Sequence, residues 1–291
     1  MNKLKIGFLG LGLMGSGMVR RLLGHGFSVA VFNRNSARTV GLTELGARIA
    51  TSARDAGSGA DVVIDMVSDD AASRAMWLGE KGALAGATAG TVCIESSTVT
   101  VDWTRELAAA VTARGCEFLD APVTGSKMHA AAGELNFLVG GTAATLEKVR
   151  PVLTPMSKSI TLIGPAGSGA MLKLINNFIC GVQVVSFAEG LAMIERSGLD
   201  RTRALEVLTS GAPGSPIVKL MATRMAAEDY TPNFLLRLMT KDLGYALQEA
   251  GKLSLNLATA VAARESFQKS ITAGDGEKDM SAAIKILRAQ S

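Results

Sequence analysis

Three features of the chain predict an α/β N-terminal domain joined by a long helix to an all-α C-terminal domain. Short apolar runs of strand type alternate with helical stretches as far as residue 165. Residues 170–196 then form one long, mainly apolar helical stretch, and no confident strand follows it. Alternation of this kind builds a mostly parallel sheet with helices on both faces.

The elements follow in order. Residues 4–10 read as the first strand, 15–23 as the first helix and 28–32 as the second strand. Further strands fall at 61–67, 91–94, 116–120, 135–139 and 160–163, with helices such as 103–113 and 144–149 between them. The pattern breaks at Gly164-Pro165, so residues 1–165 are assigned to the N-terminal domain. Residues 166–291 are assigned to the helical domain, connecting helix included, with turn signals at 211–216, 231–232 and 274–276.

Composition narrows the function. A hydrophobic share of 48% against 19% charged residues fits a soluble globular chain with a sizeable core. The 30 basic residues form no long run and the net charge is only +4, which argues against nucleic acid and suits small anionic ligands. Cys93, Cys116 and Cys180 lack metal-ligand spacing, so no metal site is expected; they read as free thiols in a reducing, cytoplasmic compartment. The apolar segment 6–19 carries five glycines and reads as a nucleotide-binding fingerprint rather than a targeting signal. The charge-free run 174–188 is only fifteen residues and reads as a buried central helix rather than a membrane span.

Gly10-Leu11-Gly12-Leu13-Met14-Gly15 matches G-x-G-x-x-G. The motif follows a strand, opens a helix and is succeeded by a second strand, the context of a dinucleotide-binding βαβ unit and hence of a Rossmann-type domain. The first glycine permits the turn, the second admits the cofactor pyrophosphate, and the third lets helix and strand pack closely. Unpaired N–H groups at the helix start complement the phosphates. NAD sites usually place an acid at the end of the second strand. Here Asn33-Arg34-Asn35 stands in its place. A guanidinium can hold a 2′-phosphate that an acid would repel, so NADP is the expected cofactor, with NAD as the alternative.

Lys173 sits in the apolar segment Ala170-Met171-Leu172-Lys173-Leu174-Ile175-Asn176-Asn177, with Asn177 on the same helical face. Burial lowers the cost of losing a lysine's proton and can bring it into the range of an acid–base catalyst. A lysine at a helix edge that extends to solvent is the structural alternative.

Four separated motifs extend this reading: Gly7 to Gly15, Asp120-Ala121-Pro122-Val123-Thr124-Gly125-Ser126, Gly167 to Asn177, and Lys241-Asp242-Leu243. Together they resemble the β-hydroxyacid dehydrogenase family over nearly the whole chain. The family includes 3-hydroxyisobutyrate dehydrogenase, tartronate semialdehyde reductase and the glyoxylate/succinic semialdehyde reductases. The resemblance implies that Lys173 is the catalytic lysine and that Asn177 orients it and the substrate. It further implies that Thr124, Gly125 and Ser126 bind the substrate carboxylate. Thr98 is then near the nicotinamide, Lys241 contacts the cofactor, and Phe234 and Asp242 line the pocket. A loop of small residues does offer N–H and hydroxyl donors to a carboxylate. Ser126-Lys127 resembles the semialdehyde-reductase branch, while Met128-His129-Ala130 departs from it; His129 reads as a rim residue.

The expected activity is hydride transfer between a nicotinamide cofactor and a short hydroxy acid or semialdehyde, at a site between the domains, in a homodimer or homotetramer. An NAD-dependent 3-hydroxyisobutyrate-type dehydrogenase is the rival enzyme. A non-catalytic dinucleotide-binding module is the rival of another class, and Lys173 and Asn177 speak against it.

Overall fold

The computed structural model describes residues 3–290. In the first part the chain runs β1 (Lys5–Leu9), α1 (Gly15–Gly24), β2 (Ser28–Phe32), β3 (Arg48–Ile49), α2 (Ala53–Gly57), β4 (Val62–Asp65), α3 (Asp70–Trp77) and β5 (Val92–Glu95). It continues through α4 (Val101–Thr112), β6 (Glu117–Asp120), β7 (Val123–Thr124), α5 (Lys127–Ala132), β8 (Leu135–Gly140), α6 (Ala143–Leu153) and β9 (Ser157–Gly164). The helical part comprises α7 (Ser168–Ser197), α8 (Arg201–Ser210), α9 (Pro216–Ala226), α10 (Leu236–Lys252), α11 (Ala258–Thr272) and α12 (Ile284–Arg288). This is a sheet domain, a long helix and a helical domain in that order, as the strand and helix patterns predict. The chain divides into two compact units, one ending at Lys173 and the other starting at Leu174.

The sheet order is β3-β2-β1-β4-β5-β6-β8-β7, with β9 paired to β8. Strands β1 to β6 pair in parallel, whereas β8 runs antiparallel to β6 and β7. The chain leaves β1 toward β2 on one side and returns to β4 on the other. That reversal opens a crevice beyond the carboxyl ends of β1 and β4, where open α/β sheets bind ligands. Both faces are covered: Val62 and Ile64 pack into one core and Val63 into another. Strands buried on both faces read as continuous apolar runs, as Val62-Val63-Ile64 does.

In the helical unit, α7 supplies Val184, Ala188 and Leu191 to a core shared with Met221, Met225, Leu236, Met239, Leu243 and Phe267. By length and composition alone α7 would suffice to cross a membrane, yet these side chains are buried inside the protein. On α10 the buried Leu236, Met239, Leu243, Ala246 and Ala250 recur at helical spacing, and Asp242 lies on that buried face.

Candidate active site

The glycine turn begins directly after β1. Gly10 has φ +89°, and a Cβ there would lie 2.2 Å from the Met66 carbonyl oxygen. A Cβ on Gly15 would lie 2.1 Å from the Gly10 carbonyl oxygen, so both glycines are required by the chain's own packing. Gly12 differs: a Cβ would meet nothing within 4 Å. The space beside Gly12 is open, as a pyrophosphate approaching the backbone needs. No side chain caps α1 and no acid lies in its first turn, while α3, α4 and α6 are capped by Asp69, Thr100 and Thr142. Such an end leaves N–H groups for an anion. These features fit a dinucleotide.

The end of β2 is tied to this turn. The Leu11 N–H donates to Asn33 Oδ1 at 2.8 Å, and Asn33 Nδ2 donates to the Asn35 carbonyl at 2.8 Å. Asn35 Oδ1 accepts the Ala37 N–H at 3.0 Å and caps a short 3-10 turn. Arg34, between the two asparagines, is exposed.

Beyond the crevice, β4, β5 and β6 each end in an acid, and the register pairs Asp65 with Glu95 and Glu95 with Asp120. Glu95 accepts hydrogen bonds from the Ser97 N–H at 2.8 Å, from the Trp77 indole at 2.9 Å and from the Ser73 hydroxyl. Ser97 Oγ accepts the Val67 N–H at 2.8 Å, and Asp70 accepts both the N–H and the hydroxyl of Thr100. Half-buried Thr98 is therefore framed on both sides by loops that carboxylates hold in place.

Asp65 is fully buried, and neither of its oxygens has a hydrogen-bond partner among the described residues. Burial and the adjacent Glu95 push its carboxyl well above the usual range. Burial also raises Glu95, opposed by its Ser73, Ser97 and Trp77 donors. An acid whose pKa is raised by folding costs stability once pH exceeds its unfolded value, about 3.9, because only the unfolded chain then ionises. Asp65→Asn is therefore expected to raise Tm at pH 8 but not at pH 4. Equal shifts at both pH values in a thermal melt would show that the proton is not the cause.

The loop after β7 carries the predicted carboxylate binders. Asn136 Nδ2 donates to Thr124 Oγ1 at 3.2 Å. Gly125 has φ +123°, and a Cβ would press on Leu135 Cδ2 at 3.0 Å and His129 Cβ at 3.1 Å. Ser126 directs both its N–H, at 3.1 Å, and its hydroxyl, at 2.9 Å, to Nδ1 of His129.

Asp120 fixes the start of α7 by accepting the Gly167 and Ala170 N–H groups, each at 2.8 Å. Burial raises this carboxyl and the backbone donors oppose the shift. Lys173 follows one turn later and is 7% exposed, a buried lysine rather than one extending to solvent. Within the helical unit Asn177 is 3% exposed and donates to Asp242 Oδ2 at 2.6 Å. Lys241 Nζ lies 3.0 Å from Asp242 Oδ1 and 4.9 Å above the Tyr245 ring. Asn176 Nδ2 completes the row by donating to Asn177 Oδ1 at 2.9 Å. Phe234 is half-buried against the helical core, its N–H held by Asp279 at 2.8 Å.

Asn177, Asp242 and Lys241 thus meet in one unit, and the glycine turn, Asn33, Thr98, the Thr124–Ser126 loop and Lys173 belong to the other. Sequence reasoning missed Glu95, Ser97 and Asp70 as holders of the Thr98 loop. For Glu95 the signal was an acid closing the apolar strand Val-Cys-Ile-Glu, where solvent exposure would not be expected; Ser97 and Asp70 gave none.

Comparison with known proteins bears on the whole chain. The family model described as the NAD binding domain of 6-phosphogluconate dehydrogenase matches residues 5–164. The model described as NAD-binding of NADP-dependent 3-hydroxyisobutyrate dehydrogenase matches residues 167–287. An NAD-dependent L-serine dehydrogenase of Pseudomonas aeruginosa is 35% identical, with 97% of each chain covered. Glyoxylate/succinic semialdehyde reductase 1 of Arabidopsis thaliana is 34% identical, covering 98% of this chain and 99% of the relative. The structure of Mycobacterium tuberculosis 3-hydroxyisobutyrate dehydrogenase with L-serine superimposes with a TM-score of 0.89 at 34% identity, covering 98% of this chain and 99% of that one. With both parts matched in order and full-length relatives above 30% identity, the chain belongs to the β-hydroxyacid dehydrogenase family and is an NAD(P)-dependent hydroxyacid dehydrogenase.

Proposed function

We propose that the enzyme is an NADP-preferring oxidoreductase that interconverts a short hydroxy acid and its aldehyde or semialdehyde, with glyoxylate and succinic semialdehyde as the substrate class. The observation that carries the reading is Lys173, a lysine 7% exposed, one turn beyond the helix start that Asp120 anchors. The nicotinamide supplies or accepts the hydride. Lys173 gives a proton to the substrate oxygen on reduction and takes it back on oxidation. Burial favours the neutral amine to which the proton returns. Asn177, fixed by Asp242, orients the substrate, and Lys241 contacts the cofactor while neutralising Asp242. Thr124, Gly125 and Ser126 receive the carboxylate, Thr98 borders the nicotinamide, and Phe234 lines the pocket. Exposed Ile175, Ile179 and Met193 on α7 support a homo-oligomer.

The cofactor preference rests on Arg34, exposed after β2 in a segment, residues 28–43, that contains no acid. Arg34→Asp is expected to lower kcat/KM for NADPH by about 10–10²-fold and to leave NADH little changed, since charge-assisted hydrogen bonds contribute about 1.5–3 kcal/mol. A wild-type enzyme that already prefers NADH would overturn the NADP assignment. A second reading, NAD-dependent oxidation of a β-hydroxy acid, is favoured by the relative named an NAD-dependent L-serine dehydrogenase. Steady-state kinetics with both cofactors separate the two.

A further inference from the structure

We propose that His129 is a positioning residue that gates the two donors of Ser126, so that capture of the substrate carboxylate strengthens when His129 gains a proton. The proposal rests on the carboxylate role of the Thr124–Ser126 loop and adds a control to it.

The Ser126 N–H reaches Nδ1 of His129 at 3.1 Å. A backbone N–H only donates, so Nδ1 is unprotonated and the ring carries its hydrogen on Nε2. The Ser126 hydroxyl, 2.9 Å from the same nitrogen, then donates as well. One ring lone pair thus takes both donors that Ser126 has to offer. In this arrangement Ser126 presents only acceptor lone pairs to a ligand, the wrong polarity for a carboxylate. Thr124 keeps its hydroxyl hydrogen, because its contact with Asn136 uses it as an acceptor.

A proton on Nδ1 reverses this. The imidazolium donates to Ser126 Oγ, and the Ser126 N–H and hydroxyl hydrogen are both released. A cation also appears beside them. His129 is exposed, so it can exchange protons with solvent. The elements around it bear few charges. Helix α5 packs on α1, whose charged groups are Arg20 and Arg21; Lys127 opens α5 and Glu134 follows it; β7 and β8 carry no titratable side chain. Arg21 is committed to the Pro155 carbonyl at 3.0 Å. Histidine is the residue type whose charge changes between about pH 8 and pH 5.

The test measures KM for glyoxylate and for acetaldehyde between about pH 8 and pH 5.5, in wild type and in His129→Gln. Glutamine at this position keeps the reciprocal bond to the Ser126 N–H that a capping box uses, but it does not titrate. In wild type, KM for glyoxylate should fall about tenfold as pH falls, the order of a hydrogen bond to a charged group, while KM for acetaldehyde stays level. In His129→Gln the glyoxylate KM should be level too. A glyoxylate KM that stays level in wild type, or falls equally in His129→Gln, overturns the gate while leaving the loop's carboxylate role standing. Absence of any preference for glyoxylate over acetaldehyde at every pH removes both.

Discussion

Lys173→Ala is expected to lower kcat by about 10²–10⁴-fold while NADPH still binds, because general acid–base catalysis contributes that much. The side chain is 7% exposed on a helix whose start is pinned by two hydrogen bonds to Asp120, so its position is set by the fold rather than by substrate. The cofactor's phosphates are assigned to the glycine turn at the far end of β1, which the substitution leaves untouched. Lys173→Arg should fail as well, since a guanidinium stays protonated and cannot take the proton back. Fluorescence titration of NADPH gives binding, and single-turnover kinetics give the chemical step. Near-normal turnover in Lys173→Ala would assign the proton to another group.

The legible parts of this chain are those whose cause is local. The glycine fingerprint was readable because its turn is local: Gly10 has φ +89°, and a Cβ on Gly15 would strike the Gly10 carbonyl. Helix α7 was readable because a mainly apolar stretch without proline spans it. The strands predicted at 28–32 and 135–139 agree with β2 and β8 to within a residue. Strands β3 and β7 were not readable: each is two residues long and exists only by pairing with β2 or β8. Helix α5 escaped for a similar reason, since its six residues depend on the Ser126–His129 contact at its start.

The site divides along the same line. Asn33 was chosen for its place after the second strand; that its side chain holds the glycine turn emerges only in three dimensions. Asn177 and Asp242 are 65 positions apart, and no spacing rule joins them. Resemblance placed both in the site, and the buried register of α10 explains why an acid at 242 needs a partner. The row Asp65, Glu95, Asp120 depends on strand register, which no single segment encodes.

The central claim is hydride transfer to a small aldehyde held by its carboxylate, and substrate discrimination tests it most directly. Donors placed to meet a carboxylate are left unpaired by a neutral analogue, at about 1–3 kcal/mol for each buried group. Each such loss corresponds to about 5–150-fold in kcat/KM. The anchor also sets the position of the carbon that receives the hydride, so kcat suffers along with KM. Gly125→Val should remove much of the discrimination, because φ is +123° there and a Cβ already meets Leu135 and His129 at 3.0–3.1 Å. The measurement is NADPH oxidation followed spectrophotometrically with succinic semialdehyde or glyoxylate against butanal or acetaldehyde at matched concentrations. The account predicts kcat/KM at least about 10²-fold higher for the acids; equal values for acid and neutral substrates would contradict it.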